Sequence, residues 1–127
     1  MAGQERSGSP TSGELARRWI PKNPSCKVSE ISVGRLHTCA ILSGGTIKCW
    51  GNGGSGTLGN GSTSNQSTPV SVSNINNAIA ISSGYNHTCA LLSDRSIKCW
   101  GNGNVGQLGN GSSANQNTPV LVSGFGG

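Results

Sequence analysis

The chain has 127 residues, of which 10% are charged and 4% aromatic, with 21 glycines and a net charge of +5. Four acidic residues leave few players for acid–base catalysis, and no apolar run approaches the ~20 residues of a membrane-spanning helix. Six of the nine cations fall at or before Arg35, so no basic stripe exists to follow a phosphate backbone and no nucleic-acid partner is expected.

Residues 1–26 are rich in Gly, Ser, Pro and charge and read as a flexible tail. Within them Thr11 and Glu14 have the spacing of a capping box. Leu15 and Trp19 would share one helix face, and Pro21 would stop the helix, so a short helix over 12–20 is the ordered alternative. Met1 is followed by polar residues with no apolar core, so no secretory signal is expected in these residues. Arg17-Arg18 is followed by Pro21 and Lys22, where a twin-arginine signal needs an apolar run.

The remainder is one pattern written twice. Residues 31–70 align with 81–120 at an offset of 50 without a gap, and 27 of the 40 positions are identical. Repeats of this length build arrays in which each unit buries its faces against its neighbours. We divide the chain into a first repeat over 27–77 and a second over 78–127. Each contains four short runs with strand character: 28–33, 37–42, 46–51 and 69–73 in the first, and 78–83, 87–92, 96–101 and 119–123 in the second. Gly34 and Gly84 close the first runs. Ser43-Gly44-Gly45 and Ser93-Asp94-Arg95 read as hairpin turns between the second and third. A Pro opens each fourth run, which suits an edge strand because Pro cannot donate to a ladder. The expectation is an all-β chain of two four-stranded antiparallel propeller blades.

The hairpin arithmetic sets Cys39 opposite Cys49, and Cys89 opposite Cys99. Directly opposed strand residues have Cα atoms about 4.5–5.5 Å apart, within reach of a disulfide. We read one cross-strand disulfide per blade, with reduced, buried cysteines as the alternative in a reducing compartment. A nine-residue gap without paired His or Cys matches no common zinc site, and no metal or cofactor is expected. Cys26 aligns with Asn76 and is the odd thiol.

The runs HTCALL, IKCWGNGNVGQLGNG and NTPVLV together resemble the repeat of the regulator of chromosome condensation family, in the cysteine-containing form seen in bacterial members. The resemblance covers 28–123. It implies a seven-bladed type of propeller, of which this chain supplies two blades. Thr57 stands where the second repeat has the family's Gln107. Trp50 and Trp100 are expected to pack between blades. Gly51, Gly101, Gly56 and Gly106 serve tight turns, and His37 and His87 bond neighbouring backbone; a metal shared between the two histidines is the sharper alternative. Gly51 to Gly56 and Gly101 to Gly106 match a dinucleotide fingerprint in form only, since no helix follows to present its N-terminus to a pyrophosphate.

No catalytic residues are assigned. The reading is a non-enzymatic propeller module that binds a protein partner, or further copies of itself, through exposed blade faces and loops. Differences between the copies mark candidate contact residues: Arg35 and Tyr85, Leu36 and Asn86, Ser55 and Val105, and Gln107. Two alternatives stand beside it: part of a guanine-nucleotide exchange factor for a small GTPase, as the resemblance to the founding member implies, and a self-assembling blade pair with no function of its own. Paired cysteines favour an extracellular or cell-surface parent protein.

Overall fold

A computed structural model describes residues 27–125; the helix reading over 12–20 lies outside them. Eight strands form in chain order: β1 (Val28–Val33), β2 (His37–Leu42), β3 (Ile47–Gly51), β4 (Gln66–Ser71), β5 (Ala78–Ser83), β6 (His87–Leu92), β7 (Ile97–Gly101) and β8 (Gln116–Leu121). They make two four-stranded antiparallel sheets, ordered β1-β2-β3-β4 and β5-β6-β7-β8. The chain is therefore all-β, as its short apolar runs and frequent turn residues require.

The β2–β3 hairpin turns where Leu42 N–H donates to the Thr46 carbonyl at 2.9 Å, and Leu92 and Ser96 repeat this at 2.9 Å. That register sets Cys39 against Cys49 and Cys89 against Cys99. Sγ atoms within each pair lie at bonding distance, 2.10 and 2.07 Å. The fourth strands start at Gln66 and Gln116, three residues before Pro69 and Pro119. Both strands lie at a sheet edge, where a missing N–H leaves no ladder bond broken.

Between β3 and β4 the chain runs through a long Gly/Asn/Ser loop that holds itself by side chains. Asn52 Oδ1 accepts from Gly54 N–H at 2.8 Å, Asn65 Oδ1 from Gly53 at 3.0 Å, and Asn60 Oδ1 from Ser62 at 3.3 Å. Asn102, Asn115 and Asn110 make the same three bonds in the second repeat. Asn and Ser recur because their short polar side chains close such turns locally.

The second sheet lies with one face against the first. Alternation along a strand sends successive side chains to opposite faces, and burial shows which face is covered. In β2 the buried residues include His37, Cys39 and Ile41; in β6 they are Thr88, Ala90 and Leu92. The first sheet thus buries one face of its repeat and the second sheet buries the other. The core between them holds Cys39, Ile41, Ile47, Cys49 and Leu58 from the first repeat, and Ala78, Ile81, Ala90, Leu92 and Trp100 from the second.

Candidate functional site

The chemistry-bearing side chains of the repeat converge on this joint. His37, at the start of β2, is buried, and its Nε2 hydrogen-bonds Thr88 Oγ1 on the second sheet across 2.8 Å. For His37 the bond reaches the next sheet, a partner that the sequence reading did not name. Burial pushes the His37 pKa below its ordinary value, and the charge of nearby His87 adds to the shift. His87, the equivalent residue, is only half-buried. The joint also holds Ser32 Oγ donating to Ser83 Oγ at 3.0 Å and Gly61 N–H donating to the Asn117 carbonyl at 2.8 Å.

Trp100, fully buried, lies in the joint and donates from Nε1 to the Thr57 carbonyl at 3.0 Å. It sits on Gly59, where a Cβ would come 2.8 Å from Nε1 and where φ is +68°, so only glycine leaves the ring its place. Trp50, its counterpart, is half-buried on the opposite face. Thr57 is buried and its hydroxyl donates to the Asn52 carbonyl. Sequence reasoning missed Thr88, the Thr57 carbonyl and Gly59 as partners. The signal available was the invariance of Thr38/Thr88 and Gly59/Gly109 between copies. Gly51 and Gly101 end their strands at φ +111° and +109°, and Gly56 and Gly106 turn their loops at +84° and +79°.

The candidate contact residues gather elsewhere. The β1–β2 and β3–β4 loops lie at the same end of each sheet, tied by Asn52 N–H donating to the Leu36 carbonyl and Asn102 N–H to the Asn86 carbonyl, both at 2.9 Å. At this rim the Arg35 guanidinium stands over the Tyr85 ring, 4.6 Å from its centroid. Leu36 and Tyr85 are exposed, and Val105 is 81% exposed. Three candidates, Gln107, Ser55 and Asn86, are less exposed. Gln107 Nε2 donates to Asn102 Oδ1 at 3.2 Å while its Oε1 accepts from Val105 N–H at 3.0 Å. Ser55 is half-buried at φ 64°, and Asn86 is half-buried. Among the described residues no three His, Cys, Asp or Glu side chains gather to hold a metal, and no helix is long and apolar enough to cross a membrane.

Two four-stranded antiparallel sheets stacked face to face define a pair of propeller blades. The chain belongs to the regulator of chromosome condensation (RCC1) repeat family: one family model matches residues 45–91 and 99–127, and a second matches 28–57 and 78–107. Over 63 residues it is 44% identical to the human probable E3 ubiquitin-protein ligase HERC4 and 43% identical to the rat protein. Those matches span 49% of this chain and 6% of the relatives' length. Among solved structures it resembles yeast RCC1 (Prp20) in its crystal structure with Kap60, with a TM-score of 0.65 at 22% identity over 80% of this chain and 24% of that one. It also resembles human WBSCR16, with a TM-score of 0.66 at 21% identity over 78% of this chain and 26% of that one. A further structure of Prp20p from Saccharomyces cerevisiae, described with its binding properties to Gsp1p and histones, matches with a TM-score of 0.61 at 22% identity over 77% of this chain and 26% of that one.

Proposed function

We propose that this chain is a non-enzymatic protein-binding module whose contact surface is the loop rim of the two blades. The observation that carries the reading is the division of labour between positions. One member of each recurring pair, His37 and Trp100, is engaged inside the joint, while copy-specific Arg35, Leu36, Tyr85 and Val105 stand exposed at one end. Aromatic and arginine side chains on a rigid scaffold are the usual anchors of protein interfaces, and the Arg35–Tyr85 stack presents one of each already ordered. Relatives whose structures are described with Kap60, or with Gsp1p and histones, support protein binding as the class.

The test is site-specific photo-cross-linking in extracts of the source cells. A photoreactive residue at Tyr85 should give a discrete adduct that unlabelled wild-type chain competes away and a Leu36→Ser/Tyr85→Ala/Val105→Ser variant does not. The same probe at Asp94, exposed in the β6–β7 turn at the opposite end of the hairpin, is the control. Equal labelling from both positions would overturn the reading. Nucleotide-exchange activity is tested by release of a fluorescent GDP analogue from a small GTPase, and no acceleration is expected.

A further inference from the structure

We propose that the two outer faces of this blade pair are the two halves of one joint, and that a second copy of the chain docks on them head to tail. The inference does not rest on the rim reading, since it uses different residues.

The internal joint shows what each face accepts. On the covered side of the first blade, His37, Cys39, Ile41 and Ile47 are buried. Their counterparts His87, Cys89, Leu91 and Ile97 are each left half-buried. Here the second blade has an apolar groove of about 220 Å³, lined by Ala80, Ser82, Cys89, Leu91 and Ile97 among others. On the covered side of the second blade, Ala78 is 5% exposed and Ile81 8%. Their counterparts Val28 and Ile31 are 50% and 61% exposed. Leu42 and Trp50 are half-buried where Leu92 and Trp100 are buried. Among the described residues, nothing covers either outer face.

The polar groups match as well as the apolar ones. Within the chain, His37 meets Thr88 and Trp100 meets the Thr57 carbonyl. Between copies, His87 would meet Thr38 of the second copy, and Trp50 of that copy would meet the Gln107 carbonyl. The glycine that admits the tryptophan is present too: Gly109 keeps φ +69°, as Gly59 has +68°. Burying apolar faces together with a matched donor–acceptor set favours this partner over an unrelated surface, which would leave His87 and the Gln107 carbonyl unpaired.

One position differs. Gly45 sits where an added Cβ would come 2.6 Å from the Asn76 carbonyl oxygen, just ahead of β5. Its counterpart is Arg95, at φ 74°. The joint between copies therefore meets a side chain where the internal joint has none, and Arg95→Gly should tighten association several-fold. A head-to-tail contact closes into a ring when its rotation permits, and propellers close at about 4–8 blades; at two blades per copy, three or four copies give the six or eight blades nearest the seven-bladed size the family resemblance implies.

The test is light scattering on the full chain under non-reducing conditions, with two face-blocking variants. Wild type should show the mass of three or four chains. Leu91→Glu and Ile31→Glu, each on a partly exposed face, should be monomers alone. Mixed in equal amounts they should pair into a dimer and stop there, because each contributes one intact face. Far-UV circular dichroism shows whether each variant is folded. A wild-type chain that stays monomeric at all concentrations, folded or not, would overturn the proposal. So would single variants that still self-associate, or folded variants that fail to pair.

Discussion

His37 carries the clearest residue-scale consequence. Its pKa is held below the ordinary value by burial first and by His87 second. In the unfolded chain an imidazole titrates near about 6.5. Below that pH the unfolded state binds a proton that the folded state resists, so stability is full above this range and falls as pH drops through the folded-state pKa. The urea midpoint of wild type should therefore drop from pH 7.5 to 5.5 by more than that of His37→Gln, and equal drops would contradict the assignment. The tryptophans give a second comparison. Trp100→Phe removes the donor to a buried carbonyl, a loss of about 1–3 kcal/mol. In the Ile31→Glu background, where the outer face stays uncovered, Trp50→Phe should cost less than about 1 kcal/mol. Denaturant titration of both variants checks the asymmetry. Recurrence in the sequence marked His37, His87, Trp50 and Trp100 as equals. The partners of His37 and Trp100 lie on the other blade of the pair, which no local pattern encodes, so Thr88 and the Thr57 carbonyl emerged only from the structure.

At the scale of the element, the hairpins were largely legible. Alternating burial and the turn residues placed β1, β2, β5 and β6 at the expected bounds, and β3 and β7 within a residue. The fourth strands were read three residues late at the start and two late at the end, because Pro69 and Pro119 suggested a start; an edge strand carries a proline inside it without losing a ladder bond. Counting outward from the turn also placed the cysteines opposite each other. Each bridge closes a short loop, with partners 10 residues apart, and restricts the unfolded chain by about 2–3 kcal/mol on the loop-entropy account. Alkylation without reductant, read by mass spectrometry, should label Cys26 alone. Five labels per chain would mean reduced hairpins, and Cys39→Ala/Cys49→Ala should then leave the urea midpoint nearly unchanged instead of lowering it.

At the scale of the molecule, the sequence shows two near-copies but not which face of each is covered. Copies alike in sequence have unlike surroundings: Ile81 lies inside the joint while Ile31 is exposed, and Cys39 is sealed while Cys89 borders an open groove. A blade pair has one internal joint for two outer faces, so its stability should depend on what covers those faces. If copies dock on one another, association stabilises the folded state by mass action, and the unfolding midpoint rises with chain concentration. Wild type should show that rise in thermal unfolding over a hundredfold dilution series. Ile31→Glu and Leu91→Glu should each show a flat, lower midpoint, while their equimolar mixture recovers the concentration dependence. A flat wild-type midpoint would instead mean that the single joint, with its His37–Thr88 and Trp100–Thr57 bonds, holds the two blades together without a neighbour.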